Sequence, residues 1–451
     1  MGKYFGTDGF RGEAGIGLTS EHAFRIGRYL GYYLNKTRKS DNKPRVVIGK
    51  DTRLSSYMLE YAIASGVASS GADVYLLHVT TTPSVSFITL EERFDLGIMI
   101  TASHNPFYDN GIKIIDGKGR KLGDELANEI ERYIDKDGVP LPFAVGADIG
   151  RIYDHYSGRN AYIGHLISHA KSSYKGLKIG LDAANGAAFA IARSVFAALG
   201  AEVYSIGDEP NGMNVNYECG STNPQRLARL VKERHLHVGF AFDGDADRCI
   251  AIDENGNTVD GDSILYILAR SFKKKGTLRD NTVALTVMSN GGLIKSLSEN
   301  GIRSEITKVG DRFVAERMRE NDLSLGGEQS GHIIISDLGA TGDGILTAIA
   351  LTEEIVDTKS SLSELCRGLT LFPQRSISIR VKDKAEAIRD GDLAGAVARL
   401  TSQNTDRRII VRESGTEPKV RIMAEAVTLP ECDEIVHSIL SVLREKGYID
   451  E

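Results

Sequence analysis

The sequence has few cysteines, no excess of positive charge and no long apolar run. Its four cysteines are far apart in 451 residues and form no Cys-X-X-Cys pair, so a cysteine-built zinc site is excluded and disulfides are not expected. The net charge of -6 argues against non-specific binding to nucleic acid or anionic lipid. Because the N-terminus lacks an apolar signal core and no segment approaches membrane-spanning length, we expect a cytoplasmic protein without a membrane partner.

The chain is long enough for several domains. Its 451 residues exceed what one hydrophobic core usually serves. Hydrophobic residues make up 41% and charged residues 26%, which is typical of a globular protein with well-developed cores. The 48 glycines indicate many tight loops.

A strand, loop, helix and strand recur in the same order three times. The paired strands are expected at 45–49 and 71–77, at 178–182 and 200–204, and at 282–287 and 301–306, with intervening helices at 58–69, up to Leu199 and up to Asn300. Because the links are short, this order implies parallel pairing and helix-covered parallel or mixed sheets.

The pattern changes after about Leu369. Strands are predicted at 374–381, 407–411 and 419–424, followed by a helix at 430–446. We therefore expect an α/β fold with three related mixed-sheet domains and a smaller C-terminal α+β domain. The predicted domains are 1–156, 157–255, 256–369 and 370–451.

A polar loop containing Ser103 follows an apolar run of strand length, 95–100. Ser103 is therefore predicted where a buried strand leaves its sheet, which is where α/β proteins place ligands. Pro106 directs Asn105 away from helical dihedrals, and the small Ala102 leaves room beside the hydroxyl. The hydroxyl could act as a nucleophile or carry a phosphoryl group, although these residue types are also common in simple turns.

Three aspartates follow another predicted buried strand, 238–242. In an extended segment, Asp243, Asp245 and Asp247 would face the same way and repel one another, and a divalent cation would relieve that repulsion. All-oxygen ligands suit Mg²⁺. The alternatives are a calcium loop, in which Arg248 occupies the position that needs glycine, and a solvated acidic turn.

Three further loops combine glycine with polar side chains. Glu328 and Ser330 lie two apart between glycines and suit sugar hydroxyls, although a plain glycine-rich turn is the alternative. Segment 412–421 has hydroxyls between arginines, as in a phosphate clamp or an exposed charged hairpin. Segment 6–12 has three glycines around one acid and one base, and it suits either a ligand or a surface loop.

In this order, the serine, acidic, Glu328 and 412–421 loops resemble those of the α-D-phosphohexomutase superfamily across essentially the whole chain. Segments 6–12, 211–216, 220–224, 309–312 and 327–332 look most like the bacterial branch that acts on glucosamine phosphates. Gln329 supports that branch, because branches acting on mannose or glucose phosphates more often have Met there.

The chain departs from the pattern of that branch at three positions. Thr101, Asn223 and Glu413 stand where the branch usually has Ser, His and Pro. These departures bear on the substrate specificity that the resemblance implies rather than on the reaction class. The fold that the resemblance implies is four domains around a central cleft, each contributing one loop.

The activity implied by the resemblance is an isomerase reaction. A phosphoserine would exchange its phosphoryl group with glucosamine 6-phosphate through a 1,6-bisphosphate to form glucosamine 1-phosphate, which feeds UDP-N-acetylglucosamine and cell-wall precursor synthesis. The implied cofactors are one Mg²⁺ per chain and glucosamine or glucose 1,6-bisphosphate. The implied partners are small hexosamine phosphates, and the family also allows a homodimer. The alternatives are a phosphoglucomutase or phosphomannomutase, and a non-catalytic sugar-phosphate-binding relative.

The resemblance also implies roles for individual residues. Ser103 would be the phosphoserine, and Lys113 the general acid or base, which needs a lowered pKa. The residues implied to contact the transferred phosphoryl group are Arg11, His104 and Arg248, and the implied metal ligands are Ser103, Asp243, Asp245 and Asp247. The residues implied to bind the sugar are Glu328, Ser330 and His332. The residues implied to bind the phosphate are Arg412, Ser414, Gly415, Thr416 and Arg421.

Overall fold

The computed structural model describes residues 3–6, 8–38, 41–135, 140–402, 407–413 and 419–449. The chain forms two compact units. The first comprises Met1–Met288 and Gly301–Arg367, and the second comprises Ser289–Asn300 and Gly368–Glu451.

The first sheet of the first unit is mixed. Its strands are β1 (Phe5–Gly6), β2 (Gly9–Glu13), β3 (Arg45–Lys50), β4 (Asp73–Val79), β5 (Leu96–Ile100), β6 (Asp109–Asp116) and β7 (Ile152–Asp154), in the order β1-β2-β6-β5-β3-β4-β7. Strands β5, β3, β4 and β7 are parallel, and β6 and β2 are antiparallel to their neighbours. The helices of this region are α1 (Ser20–Thr37), α2 (Leu54–Ala68), α3 (Thr82–Glu91) and α4 (Asp124–Ile134).

Helices cover both faces of the first sheet. Val46 and Ile48 of β3 pack in one core cluster with residues of α1 and α2. Val47, between them, packs in a second cluster with Val85 and Ile88 of α3. Since successive strand residues point to opposite faces, α2 and α3 lie on opposite sides of the sheet.

The second sheet lies in the same unit. Its strands are β8 (Lys178–Asp182), β9 (Glu202–Ile206), β10 (Val238–Phe242), β11 (Cys249–Ile252) and β12 (Thr258–Val259), in the order β12-β11-β10-β8-β9. Strands β9, β8 and β10 are parallel, and β11 is antiparallel to β10. The helices are α5 (Tyr156–His169), α6 (Ile191–Ala198), α7 (Gln225–Arg234) and α8 (Gly261–Lys275).

The third sheet completes the first unit. Its strands are β13 (Thr282–Thr286), β14 (Arg303–Thr307), β15 (Leu325–Gly327) and β16 (Ile333–Ile335), in the order β14-β13-β15-β16. The helices that follow β13 in the chain are α9 (Gly291–Glu299), α10 (Asp311–Glu320), α11 (Gly344–Thr358) and α12 (Leu362–Leu365). Of these, α9 belongs to the second unit. Short 3₁₀ helices are formed by Gly146–Asp148 and Arg279–Asn281.

The second unit has an antiparallel sheet in the order β17-β19-β18. Its strands are β17 (Gln374–Arg380), β18 (Arg408–Glu413) and β19 (Lys419–Glu425), and its helices besides α9 are α13 (Lys384–Arg389), α14 (Gly391–Ser402) and α15 (Leu429–Glu445). Ile422 of β19 packs with Ile435 and Ile439 of α15 in the core of this unit.

The predicted fold class is confirmed. All three predicted strand pairs, β3–β4, β8–β9 and β13–β14, are parallel, and the C-terminal region is a small antiparallel sheet with helices. No helix among the described residues has the length and apolarity needed to cross a bilayer.

The second strand of each pair starts two residues later than predicted. Gly71, Gly200 and Gly301, which were assigned to these strands, have φ values of 88°, 96° and 64°. Glycine tolerates this left-handed conformation, which commonly ends a helix. These glycines therefore belong to the turns, and the strands begin at Asp73, Glu202 and Arg303.

Helices α1 and α2 approach unusually closely through glycine. A Cβ atom on Gly66 of α2 would lie 2.2 Å from the Phe24 carbonyl oxygen, and one on Gly27 of α1 would lie 2.4 Å from the Ile63 carbonyl oxygen. Because these two residues have no side chains, the backbones of α1 and α2 come into direct contact and the two helices pack tightly together.

Candidate active site

Ser103 lies on a buried loop directly after β5. Its backbone has a φ of 51°, and its amide donates to Thr101 Oγ1 at 2.9 Å. The hydroxyl donates to Asp243 Oδ2 at 2.6 Å and lies 3.3 Å from His104 Nδ1. The left-handed backbone of a non-glycine residue costs free energy, so surrounding contacts must hold the loop.

Arg53 supplies several of those contacts. The guanidinium is fully buried and donates to four backbone carbonyl oxygens of the serine loop, those of Ser103 (2.9 Å), Asn105 (2.8 Å), Pro106 and Asp109 (3.0 Å). Asp51 accepts from Arg53 Nε at 2.7 Å and from Thr101 Oγ1 at 2.8 Å. Asp51 and Arg53 follow β3, and the serine loop follows β5. The carboxyl ends of these two strands lie side by side because the strands are parallel neighbours.

A second support comes from the region of the second sheet. Asn216 Nδ2 donates to the carbonyl oxygens of Ser103 and Asn105 at 2.9 and 3.1 Å. Asn216 itself has a φ of 58°, a conformation that asparagine tolerates better than most residues. The serine loop is thus held from two sheets of the first unit.

The three predicted acidic residues converge after β10. The carboxylates of Asp243, Asp245 and Asp247 are buried, and one oxygen from each lies within 4.8 Å of the others. The extended conformation predicted for this segment was wrong. The segment forms a turn, in which Ala246 has a φ of 55°. Thr82, at the start of α3, anchors this turn by donating from its amide to the Asp245 carbonyl oxygen at 3.0 Å.

This acidic group fits a divalent cation. Burial, together with the charges of Asp247 and Asp245, raises the pKa of Asp243 well above its ordinary value. Asp245 Oδ1 and Asp247 Oδ1 are buried and have no hydrogen-bond partner among the described residues. Unpartnered buried carboxylate oxygens are costly, and an oxygen-binding cation would satisfy them.

Lys113 of β6 reaches the same acidic group. Its ammonium lies 2.7 Å from Asp245 Oδ2, 3.2 Å from Asp247 Oδ2 and 3.4 Å from Asp8 Oδ2. Burial acts to lower the pKa of Lys113, but the charges of Asp245, Asp247 and Asp8 outweigh it and raise the pKa well above the ordinary value. These carboxylates therefore act against the lowered pKa that a lysine general base requires, and a cation bound to Asp245 and Asp247 would weaken their effect.

The glycine-rich opening also lies at this site. Arg11 pairs with Asp8 through its guanidinium. Lys121, just beyond β6, pairs with both Asp8 and Asp311, so it connects the opening to the start of α10. Arg248 Nε lies 4.0 Å from Asp243 Oδ2 and has no hydrogen-bond partner among the described residues.

The loop containing Glu328 is fixed on both sides. Glu328 Oε1 accepts from the Gly310 amide at 3.1 Å, and the Gly331 carbonyl oxygen accepts from the Cys249 amide at 3.0 Å. The second bond joins this loop to the start of β11, directly after the acidic turn. Ser330 is half-buried.

His332 stands between the Glu328 loop and the acidic turn. The ring is 3% exposed, and its Nε2 lies 3.4 Å from Asp311 Oδ2. His332, Asp311 and Asp247 place one ligand atom each within 4.8 Å of one another. Neither ring nitrogen has a hydrogen-bond partner among the described residues, so the imidazole is available to a bound ligand.

The predicted phosphate residues lie in the second unit. Arg412 of β18 and Arg421 of β19 are directly paired across the two strands. Ser414, Gly415 and Thr416 lie outside the described residues.

The first unit brings together most of the predicted site residues. Direct contacts or shared clusters connect Ser103, His104, Lys113, the three aspartates, Arg248 and His332. No supporting role was predicted from the sequence for Asp51, Arg53, Thr82, Lys121 or Asn216. For two of them, the position in the sequence could have indicated the role, because Asp51 and Arg53 directly follow a predicted strand just as Ser103 does.

Models of one protein family match nearly the whole chain. Those described as phosphoglucomutase/phosphomannomutase α/β/α domains I, II and III match residues 2–139, 160–256 and 260–372. The model of the C-terminal domain of the same family matches residues 377–442.

Curated relatives match over the full length. The phosphoglucosamine mutase of Lachnospira eligens is 52% identical over 449 residues, which cover 99% of this chain and 100% of that protein. The phosphoglucosamine mutase of Bacillus subtilis is 47% identical over 447 residues, which cover 99% of each protein.

Solved structures show the same fold. A phosphoglucomutase/phosphomannomutase family protein from Burkholderia thailandensis superposes with a TM-score of 0.80 at 24% identity and covers 100% of this chain and 99% of its own. The Aspergillus fumigatus N-acetylphosphoglucosamine mutase, solved with GlcNAc-6P and magnesium, superposes with a TM-score of 0.68 at 18% identity and covers 98% and 96%.

Proposed function

The chain belongs to the phosphoglucomutase/phosphomannomutase family of α-D-phosphohexomutases, and we propose that it interconverts glucosamine 6-phosphate and glucosamine 1-phosphate. The family makes it an isomerase that transfers a phosphoryl group. The sugar is inferred from full-length relatives at 47% and 52% identity that are named phosphoglucosamine mutases.

One observation carries the proposal. The Ser103 hydroxyl lies 2.6 Å from Asp243 Oδ2, at the edge of a buried group of three aspartates with unpartnered oxygens. A phosphoryl group on Ser103 Oγ would therefore have oxygen atoms next to a cation held by these aspartates. This is the arrangement that phosphoryl transfer needs, because the reaction depends on positioning and charge neutralisation.

Phospho-Ser103 serves as both donor and acceptor. The 1-hydroxyl of glucosamine 6-phosphate attacks phosphorus, the bond from phosphorus to Ser103 Oγ breaks, and glucosamine 1,6-bisphosphate forms; the proton lost by the 1-hydroxyl balances the one gained by Ser103 Oγ. After the bisphosphate reverses its orientation, Ser103 Oγ attacks the phosphorus at the 6-position and gives up its proton, the bond from phosphorus to the 6-oxygen breaks, and glucosamine 1-phosphate leaves with a proton on that oxygen. Glucosamine or glucose 1,6-bisphosphate would phosphorylate an unmodified enzyme in the same way.

His104 is suited to handle the proton of the serine. Burial, with the nearby charges of Arg248 and Arg11, lowers the pKa of His104 to about 4. The imidazole is therefore neutral at neutral pH, and its Nδ1 lies 3.3 Å from Ser103 Oγ. It can accept the hydroxyl proton as Ser103 Oγ attacks phosphorus and pass it on within the same step, and in the opposite direction it can relay a proton to Ser103 Oγ as the phosphoryl group leaves. Lys113 and Arg11 act as fixed positive charges beside the transferred group.

The cation would be one Mg²⁺ per chain. Asp243, Asp245 and Asp247 would hold it, together with an oxygen of phospho-Ser103. When bound, Mg²⁺ would neutralise negative charge that develops on the transferred phosphoryl group. The oxygen-only ligand set and the two unpartnered carboxylate oxygens support this assignment.

The remaining roles concern recognition of the hexosamine phosphate. Glu328, Ser330 and His332 bind the sugar, and the buried, unpartnered imidazole of His332 supports this role. Arg412, Ser414, Gly415, Thr416 and Arg421 bind the phosphate that is not reacting. We also propose four domains with boundaries near residues 156, 255 and 369, which the four separate sheets support.

The test combines substrate choice with chemistry at the serine. We expect kcat/KM to be highest for glucosamine 1-phosphate when it is compared with glucose 1-phosphate and mannose 1-phosphate. Intact-mass measurement should find a phosphate on the wild-type chain after incubation with the bisphosphate and none on Ser103→Ala, which should be inactive but folded. Preference for glucose or mannose phosphate would reassign the substrate, and an active Ser103→Ala variant would contradict the mechanism.

A further inference from the structure

A cavity of about 620 Å³ lies between helices α3, α5 and α10 of the first unit, with residues between 336 and 343 forming another wall. A smaller cavity of about 260 Å³ adjoins it. Ser86, Arg120, Ala315 and Arg319 line both of them. We refer to the two together as the α3–α10 cavity. Its size is typical of a binding site for a small organic molecule.

The α3–α10 cavity is a neighbour of the candidate active site. Neither Ser103 nor Arg248 is among the described residues that line it. Lys113, Lys121 and His332 line only the smaller cavity. A ligand in the α3–α10 cavity would therefore lie beside the active site without occupying the position of the transferred phosphoryl group.

Three cationic side chains of the α3–α10 cavity have no partner in the described part of the chain. Arg120 and Arg319 line both cavities, and Lys118 lines the larger one. Their side chains make no hydrogen bond and no ion pair with a described residue. Because guanidinium groups bind phosphate oxygens through paired N–H donors, the region shared by the two cavities suits a phosphate or a diphosphate.

The acids that border the α3–α10 cavity compete little for these cations. Most of them are already bonded: Asp322 and Asp337 to Arg279, Glu316 to Arg312, Asp311 to Lys121, Asp343 to Tyr162, and Asp116 to two backbone amides. Glu91 is the one bordering acid without such a bond to a described residue, and the three unpaired cations outnumber it. A bound anion would therefore find positive charge that no other group has neutralised.

The larger cavity also has an apolar wall that contains flat rings. Phe87 of α3 and His165 of α5 stack with their ring centroids 4.2 Å apart and an interplanar angle of 26°. Leu90 and Met318 extend this wall, and Leu90 is 51% exposed. A hexose phosphate is too polar to cover such a wall, whereas a flat heterocyclic base would bury it.

We propose that the α3–α10 cavity binds a nucleoside phosphate, with its phosphates between Arg120 and Arg319 and its base against Phe87 and Leu90. The two halves of the cavity differ in chemistry, and this ligand class has the same two halves. Inorganic phosphate would use only the arginines, and a nucleoside without phosphate would use only the apolar wall.

A nucleotide in this position would inhibit turnover. Phosphates beside Arg120 would lie close to Lys113 and Lys121, which line the same small cavity. Their negative charge would offset part of the positive charge that the two lysines supply to the transferred phosphoryl group. Because phosphoryl transfer depends on charge neutralisation, kcat should fall.

The wall of the cavity also contacts the active site directly. A Cβ atom on Gly342 would lie 2.5 Å from His332 Nε2, so the backbone of this segment packs against the imidazole. The amide of Gly344 donates to the carbonyl oxygen of Ala246, in the acidic turn, at 3.0 Å. A ligand that displaces this wall would therefore also displace groups of the active site.

Isothermal titration calorimetry tests binding, with ADP and UDP as probes and saturating glucose 1,6-bisphosphate in the active site. We expect one nucleotide per chain for at least one probe, and affinities about tenfold lower or less for pyrophosphate, adenosine and uridine. Equal binding of pyrophosphate would show a simple anion site. Loss of nucleotide binding when the bisphosphate is present would place the nucleotide in the active site. Either result, or no binding of both probes, would overturn the proposal.

Two variants and a matched control locate the nucleotide. Arg120→Ala and Arg319→Ala each remove a charged donor, so nucleotide affinity should fall about 10-fold or more. Arg229→Ala is the control, because Arg229 is an exposed arginine of α7 that does not line the cavity. It should bind nucleotide like the wild type. Equal affinities for all three variants would show that the nucleotide binds elsewhere.

Steady-state kinetics gives a second readout, which rests on the proposed function, whereas nucleotide binding to the variants does not. With Mg²⁺ in excess over nucleotide, the bound probe should lower kcat of the wild type and of Arg229→Ala and leave KM for glucosamine 1-phosphate nearly unchanged. The same nucleotide concentration should inhibit Arg120→Ala less. A raised KM at unchanged kcat would indicate competition in the active site, and unchanged kinetics at saturating nucleotide would refute the inhibition.

Discussion

Arg53 Nη2 donates a hydrogen bond of 2.9 Å to the carbonyl oxygen of Ser103, the residue that carries the proposed phosphoryl group. The same guanidinium binds three further carbonyl oxygens of the loop. Asp51 balances its charge. A planar group with several fixed donors is suited to this task, whereas a lysine ammonium has only three donors at one point. Arg53 thus acts as a positioning residue for a strained serine loop.

We expect Arg53→Lys to lower kcat about 100-fold, because displacement of a reacting group by about 1 Å has an effect of that size. KM should change much less, because Arg53 contacts the loop rather than the substrate. Steady-state kinetics with glucosamine 1-phosphate provides the measurement.

Arg45→Lys is the matched control for Arg53→Lys. Arg45 begins the same strand and also donates to backbone carbonyl oxygens, those of Glu92 and Arg93. It lies at the other end of β3, so kcat should stay close to wild type. Equal effects of the two substitutions would show that Arg53 has only a general structural role.

Removal of the cation should stop turnover. Chelation by EDTA should abolish activity, and added Mg²⁺ should restore it. Asp245→Asn should raise the Mg²⁺ concentration needed for half-maximal activity, because it removes one charge from the group of three buried carboxylates. Asp253→Asn is the control, because Asp253 is a buried acid outside that group. Full activity after complete chelation would contradict the metal assignment.

Asp343 should make stability depend on pH. Burial raises the pKa of Asp343 to about 6, whereas an unfolded chain has a value of about 4. Between these values the folded protein retains a proton that the unfolded chain has lost. The contribution of this carboxyl therefore favours folding at low pH and is lost as the pH rises through about 6.

Asp343→Asn should remove this pH dependence. Asparagine can still cap α11 at the Leu346 amide, where the Asp343 carboxylate now accepts at 2.9 Å. Relative to wild type, the free energy of unfolding of the variant should rise by about 2 kcal/mol between pH 4 and pH 7. Urea denaturation across this range is the measurement. Parallel curves for the two proteins would contradict the raised pKa.

The close approach of α1 and α2 predicts a stability effect. Gly66→Ala would place a Cβ atom 2.2 Å from the Phe24 carbonyl oxygen, so the helices must separate, at a cost of about 3 kcal/mol. Gly164→Ala is the control in α5, where a Cβ atom meets nothing within 4 Å. That change should stabilise by about 0.5 to 1 kcal/mol through helix propensity. Equal denaturation midpoints for the two variants would contradict the packing argument.

Local patterns in the sequence determined the secondary elements and the groups that carry the chemistry. Strands β8 and β10 have the predicted bounds, because a short, mainly apolar segment that is followed by a polar loop is typical of a buried central strand. The position of Ser103 after β5, and of the aspartates after β10, also follows from the strand ends.

Only the tertiary structure determined how these groups are held and charged. The four carbonyl contacts of Arg53, the donation by Asn216, and the raised pKa of Lys113 all depend on residues that are distant in the sequence. A residue type and its strand position indicate which group is available. Its hydrogen-bond partners and its pKa depend on which distant segments are packed beside it, because hydrogen bonds and the strongest electrostatic effects act over only a few ångströms.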